Sequence, residues 1–267
     1  MASTPATAVS TSHDNVLLVQ LRDGVATLTL NRPRQYNALS RALLQALESR
    51  LDALAADESV RVVLVTGAGT AFCAGHDLRE MQAMDEATVQ SLFAQCATVM
   101  QKIIALPQPV IAVVNGLATA AGCQLVAQCD LAISADNTRF AVSGVNLGLF
   151  CSTPAVALSR NISRKRAAEM LFTGDFIDAP TALDWGLVNR VTPAATLMDA
   201  AHELAAKLKA KPRATLALGK ALFYRQLADN LPAAYADAAR TISRNMGMDE
   251  AREGVDAFLG KRAPRWE

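Results

Sequence analysis

No apolar run in this chain approaches the ~18–20 residues that a membrane-spanning helix requires. The longest candidate, residues 109–114, reads as a buried strand, so no membrane crossing is expected. Charge of one sign is also missing: 26 Lys and Arg stand against 25 Asp and Glu, for a net charge of +1 and a pI near 7.6. Without a basic stripe, neither nucleic acid nor a charged membrane surface is an expected partner. The N-terminal residues lack an apolar leader core and carry no arginine before Arg22. Neither a secretory nor a mitochondrial address is recognisable there, so a cytoplasmic location is expected and residues 1–14 are expected to be a disordered tail. Histidine is scarce, and His13, His76 and His202 are dispersed. The cysteines, Cys73, Cys96, Cys123, Cys129 and Cys151, are odd in number and lack the close pairing of a zinc site. Buried free thiols in a reducing compartment are expected, with no bound metal. Internal repeats and low-complexity tracts beyond the tail are absent.

What is present is 267 residues with 51% hydrophobic composition, enough for a large core. Two β-branched runs, Val16-Leu17-Leu18-Val19-Gln20-Leu21 and Val25-Ala26-Thr27-Leu28-Thr29-Leu30, flank Arg22-Asp23-Gly24 and predict a hairpin. Ser40 caps a predicted helix in which Leu43, Leu44, Leu47, Leu51 and Leu54 form one apolar stripe. Strands follow at 62–65, 110–114, 131–134 and 140–142, and a long helix fills 85–106, stopped by Pro107 and Pro109. Beyond Ser152 the pattern is almost purely helical, over 154–162, 165–172, 180–185, 195–210, 214–228, 232–246 and 251–259. The expectation is an α/β core over residues 15–192 and a helical C-terminal region over 193–267.

Two segments draw the eye. Ala71-Phe72-Cys73-Ala74-Gly75-His76-Asp77-Leu78 and Asn115-Gly116-Leu117-Ala118-Thr119-Ala120-Ala121-Gly122-Cys123-Gln124 each carry an apolar run into a small-residue turn and then a helical pattern. One backbone N–H from each turn can converge on a single carbonyl oxygen, the layout of an oxyanion hole. A rival reading of Gly67-Ala68-Gly69 as a dinucleotide fingerprint fails, because Phe72 replaces the third glycine. Asp77 and Glu80 have the spacing of a capping box.

With these segments stand Asn31-Arg32-Pro33, Asn37-Ala38-Leu39-Ser40, Val145-Asn146-Leu147-Gly148, Leu171-Phe172-Thr173-Gly174, Trp185-Gly186-Leu187-Val188 and Ala257-Phe258-Leu259-Gly260-Lys261-Arg262. In this order they resemble the enoyl-CoA hydratase/isomerase (crotonase) superfamily. The resemblance implies a spiral of ββα units, a C-terminal helical region that builds a homotrimer or a dimer of trimers, and an acyl-CoA thioester as substrate. Coenzyme A enters only as part of that substrate, with no separate cofactor. It places the oxyanion donors on the backbone N–H groups of His76 and Ala121, and the coenzyme A contacts at Arg34, Ala38, Ala74, His76 and Leu78, with Phe258 and Lys261 reaching the adenosine phosphate end. Family hydratases carry two glutamates where this chain has Gln124 and Gly144. Gln124 holds a water or substrate, or simply packs on its helix; Gly144 offers no side chain, so ordinary hydration is not expected. Chemistry that needs mainly stabilisation of a thioester enolate, such as decarboxylation of a malonyl-type thioester, chemistry that uses a base not recognised in the sequence, or acyl-CoA binding without turnover are the functions left open. An imidazole role for His76 in proton transfer is weighed against the use of its backbone alone.

Overall fold

The computed structural model describes residues 16–266. The tail expectation for residues 1–14 lies outside them. The chain opens with strands β1 (Leu17–Arg22) and β2 (Val25–Leu30), antiparallel with Arg22 opposite Val25. Asp23 and Gly24 both have positive φ, 49° and 73°, the primed two-residue turn whose twist suits a hairpin. Helix α1 (Arg41–Ala56) follows, with the Ser40 hydroxyl accepting from the Leu43 N–H at 3.2 Å. All five leucines of the predicted stripe are buried.

Three times the chain then runs one strand in a large sheet, steps to a short strand in a small sheet, and enters a helix. The first unit is β3 (Val62–Gly67), β4 (Ala71–Cys73), α2 (Leu78–Gln82) and α3 (Glu86–Ala105). The second is β5 (Val110–Val114), β6 (Leu117–Thr119) and α4 (Ala121–Gln128). The third is β7 (Leu131–Ala135), β8 (Arg139–Ala141) and α5 (Ser152–Asn161). Then come α6 (Arg164–Thr173), β9 (Ile177–Asp178), α7 (Ala179–Trp185), β10 (Arg190–Thr192), α8 (Leu197–Lys209), α9 (Arg213–Gln226), α10 (Leu231–Met246) and α11 (Asp249–Leu259). This is the expected α/β spiral of ββα units with C-terminal helices.

The large sheet has the order β1-β2-β3-β5-β7-β10 and is parallel from β2 onward. Its central strands β3 and β5 are buried along their whole length because both faces are covered, while the edge strands β1 and β10 are partly exposed. Leu28, Val63, Val65, Ala112 and Val114 join the main core, while Val62, Leu64, Ile111, Val113 and Ile133 pack on Leu197, Ala201 and Ala205 of α8. Helix α8 lies beyond the 192/193 division drawn from the sequence and still forms a layer on this sheet. The small sheet has the order β4-β6-β8-β9, with β4, β6 and β8 parallel. β9 pairs antiparallel with β8, and β10 parallel with β7, so the region after Ser152 is less purely helical than its pattern predicts. Strands of two or three residues carry no periodicity of their own and are held by their partners' backbone.

Candidate active site

The parallel run β4, β6, β8 brings three chain segments to one edge of the small sheet: residues 74–76 after β4, 120–121 after β6 and 142–144 after β8. The carboxyl ends of parallel strands are where backbone groups are left without ladder partners, which makes this edge the natural place for a site.

The first segment is clamped from outside. Its Ala74 N–H donates to Tyr36 O at 3.0 Å, the Leu39 N–H donates to Gly75 O at 2.7 Å, and the Asp77 N–H donates to Leu39 O at 3.2 Å. Residues 36–39 therefore run beside 74–77, which gathers Ala38, Ala74, His76 and Leu78 into one patch, with exposed Arg34 on the preceding turn. Two side chains from the ordered motifs, given no role of their own by the sequence, hold this arrangement. The Arg32 guanidinium donates to Ala38 O at 2.6 Å and pairs with the Asp77 carboxylate at 2.8 Å. Buried Asn37 donates from Nδ2 to Ala68 O and Ala71 O, at 2.9 and 2.7 Å, and accepts from the Arg32 N–H at 2.9 Å. Asn31-Arg32-Pro33 and Asn37 stood in the sequence as motif residues, but their roles depend on partners some 30 to 45 positions away. Gly67-Ala68-Gly69 leads into strand β4, not the helix that a dinucleotide fingerprint needs.

The second segment lies against the first. The Thr119 hydroxyl donates to Ala74 O at 3.0 Å, and the Ala120 N–H donates to Ala141 O at 2.9 Å, tying all three strand ends together. A Cβ built on Gly75 would stand 2.8 Å from the Ala120 Cβ and 3.3 Å from the Ala121 N, and φ at Gly75 is +93°. Only glycine meets both demands. Ala120 itself has φ 49° and ψ −120°, a backbone region rarely tolerated outside glycine. It precedes α4 without any side-chain cap, so the first N–H groups of that helix are left for another acceptor. Among the described residues, the N–H groups of His76 and Ala121 donate to no acceptor. Gly122 lets the helix start this close: a Cβ there would stand 2.0 Å from Cys73 O.

Gln124, one turn into α4, is 4% exposed and its Oε1 has no partner. Gly144, at the third strand end, is packed so closely that a Cβ would stand 2.5 Å from Leu149 O and 2.8 Å from the Cys151 Sγ. His76 keeps both ring nitrogens buried and unpartnered, with Phe93 edge-on at 4.9 Å. Burial pushes its pKa down to about 4, against a small opposing effect from the Leu39 backbone, so the imidazole is neutral at neutral pH.

Asp77 and Glu80 lie next to this edge and both are engaged. Asp77 caps α2, accepting from Arg79 and Glu80 N–H groups at 3.1 and 3.4 Å. Burial alone would raise its pKa, but the Arg32 pair and these N–H groups hold it below the ordinary carboxylate value. The capping box is only half formed. The Asp77 N–H is already used by Leu39, so Glu80 turns away and accepts from the Arg41 N–H at 3.1 Å.

The C-terminal residues expected at a coenzyme A site, Phe258 and Lys261, stand on the last helix and the turn after it. Phe258, near the end of α11, is 81% exposed, and Lys261 lies in the exposed turn that follows. All five cysteines are free thiols and buried. Burial pushes Cys73, Cys96 and Cys123 up to about 12.

The enoyl-CoA hydratase/isomerase family profile matches residues 20–267. The chain is 46% identical over 258 residues to the mitochondrial enoyl-CoA hydratase domain-containing protein 3 of Rattus norvegicus, covering 96% of this chain and 85% of that protein. A solved enoyl-CoA hydratase of Mycobacterium smegmatis superposes with a TM-score of 0.93 at 55% identity, over 95% of this chain and 99% of that one. The solved human enoyl-CoA hydratase domain-containing protein 3 gives 0.91 at 42% identity, over 94% and 100%. The cytoplasmic expectation is corrected here, because the rat relative and its mouse, frog and human counterparts are mitochondrial proteins. Near-neutral charge and free thiols suit either compartment and do not discriminate between them.

Proposed function

The chain belongs to the enoyl-CoA hydratase/isomerase family, and from that premise we propose that it binds an acyl-CoA thioester and stabilises its enolate. The thioester oxygen sits between the N–H groups of His76 and Ala121. The single observation behind this reading is the closeness of the two turns, with the Ala121 N 3.3 Å from where a Gly75 Cβ would stand. Both neighbouring N–H groups are without an acceptor. Charge that develops on an oxygen held there meets two fixed donors and the positive end of α4, which need no rearrangement as the enolate forms.

The same site lacks the means for ordinary hydration. Activating water requires a carboxylate base, but Gln124 cannot accept the proton and Gly144 has nothing to offer. Asp77 is held by Arg32, and Glu80 by the Arg41 N–H. The chemistry that remains is of the kind in which the hole does most of the work. Decarboxylation of a malonyl-type thioester is one example, since loss of CO₂ itself generates the enolate. Binding without turnover is the second reading. It is favoured by the apolar, exposed Leu147, Leu149 and Phe150 beside Gly144.

Arg34, Ala38, Ala74 and Leu78 border the coenzyme A moiety in this reading, with Phe258 and Lys261 supplied by a neighbouring subunit at its phosphate end. The exposed Phe223, Leu227, Leu231, Tyr235, Ile242 and Met246 of the C-terminal helices support assembly into a trimer or a dimer of trimers.

Calorimetric titration with butyryl-CoA tests the placement. Ala121 is the first residue of α4, the helix position that best accepts a proline ring, so Ala121→Pro removes one donor. Ala121 is also buried, and Ala120 before it holds a backbone conformation that a following proline opposes, which makes the check of the fold part of the test. Binding about fivefold weaker or worse is expected. Equal binding by a folded Ala121→Pro protein, checked by circular dichroism, refutes the placement.

A further inference from the structure

The third strand end carries a group that enolate chemistry lacks elsewhere. After β8 the chain turns through Ser143–Leu147 and comes back into α5, which returns Cys151 against Gly144. A side chain at 144 has no room because the Cys151 Sγ would lie 2.8 Å from its Cβ. The thiol therefore occupies the space where a residue at 144 would project. Helix α5, which Cys151 precedes, packs on α4, and Cys151 and Cys123 belong to the same buried cluster. On a helix of 3.6 residues per turn, Gln124 projects between the directions of Cys123 and Ala121. Its Oε1 is buried without a partner, on the helix that starts at the second strand end and packs on α5. Of the five thiols, Cys151 is the least enclosed. Burial raises its pKa, which keeps the proton on sulfur, while the Gly144 backbone interaction favours the thiolate that forms once the proton leaves.

We propose that Cys151 is a catalytic residue of this site, whose thiol delivers the proton to the α-carbon of the thioester enolate. This rests on the enolate reading given above. With the oxygen held by the first two strand ends, the acyl carbons extend over the third. The S–H bond breaks and a C–H bond forms, using the electron pair of the enolate. The negative charge passes to sulfur, beside the Gly144 N–H, and water then returns a proton to the thiolate. No oxidant, reductant or further reactant is needed. By microscopic reversibility the thiolate also removes an α-proton from a saturated thioester, slowly, since little of it is ionised.

Full-length protein is incubated with butyryl-CoA in D₂O, and deuterium at the α-carbon is followed by mass spectrometry beside calorimetric affinity. The wild type is expected to exchange, and Cys151→Ala to exchange about 10²-fold more slowly at unchanged affinity. Cys151→Ser keeps the packing but is a far weaker acid, and is expected to be slow as well. Exchange at the wild-type rate by either variant overturns the role of Cys151 and leaves the enolate reading intact. A wild type that binds butyryl-CoA without exchanging overturns the enolate reading, and Cys151 with it. If the variants do not fold, alkylation of the wild type by iodoacetamide decides. Protection of Cys151 by butyryl-CoA, but not by free coenzyme A, supports the placement, and equal labelling overturns it.

Discussion

Gln124→Glu and Gly144→Glu, made singly and together, separate what the proposed oxyanion hole does from what a carboxylate pair does. Each general acid–base role is worth about 10²–10⁴-fold, so crotonyl-CoA hydration by the wild type is expected at least ~10⁴-fold below that of a two-glutamate hydratase. Gln124→Glu keeps the size of the side chain and places a carboxyl where only 4% of the residue is exposed and Oε1 has no partner. Burial without a cation raises a carboxyl pKa, so this glutamate stays largely protonated and cannot act as base. Gain over the wild type is expected within about tenfold. Gly144→Glu meets a different obstacle. Its Cβ would start 2.5 Å from Leu149 O and 2.8 Å from the Cys151 Sγ, whereas ordinary contact begins near 3.4 Å, so the 149–151 segment must retreat. Overpacking of this kind costs about 1–3 kcal/mol, a fall in Tm of about 2–12 °C for a chain of this size. The double variant is expected to exceed the sum of the singles, because both groups serve one transition state, while melting below the wild type. Loss of enoyl absorbance follows turnover, and thermal melts followed by circular dichroism report the strain. Wild-type hydration at an ordinary rate, about 10 s⁻¹ or above, refutes the reasoning, as does a Gly144→Glu protein that melts with the wild type.

Gly122→Ala drives a methyl to 2.0 Å from Cys73 O, forcing α4 off β4; a loss of about 1–3 kcal/mol in urea unfolding is expected together with weaker butyryl-CoA binding, and an unchanged midpoint contradicts it. His76 has its folded pKa lowered to about 4 by burial, below an unfolded value near 6.5, so the stability it contributes is present above about pH 6.5 and is lost as pH falls toward 4. Urea unfolding at pH 7.5 and 5.0 checks this, and His76→Phe is expected to remove that part of the pH dependence; identical pH profiles for the two proteins count against it. Tyr235→Glu with Ile242→Glu, at positions 71% and 57% exposed, is expected to leave a folded monomer by light scattering. An unchanged assembly size rules these helices out as the interface.

Much of the fold was determined by the sequence alone, where the decisive interactions are local. Asp23-Gly24 between β-branched runs dictates its hairpin because both turn residues accept positive φ. The leucine spacing after Ser40 dictates α1, and Pro107 and Pro109 end α3 for reasons that lie within the proline ring. The ordered motifs also sufficed to identify the family. Tertiary structure decided the rest. Strands β4, β6, β9 and β10 are too short to show a period and exist through pairing with distant backbone. The lone strands of the sequence became two sheets, and α8, which looked like part of the tail, became a layer over one of them. Above all, the site is a relation among separate segments. That Gly75 faces Ala121, that Gln124 is buried with its oxygen unpartnered, and that Cys151 fills the space beside Gly144 are facts of approach and enclosure. Side-chain type sets what a residue can do, but distance and burial set what it meets, and only the folded chain contains those.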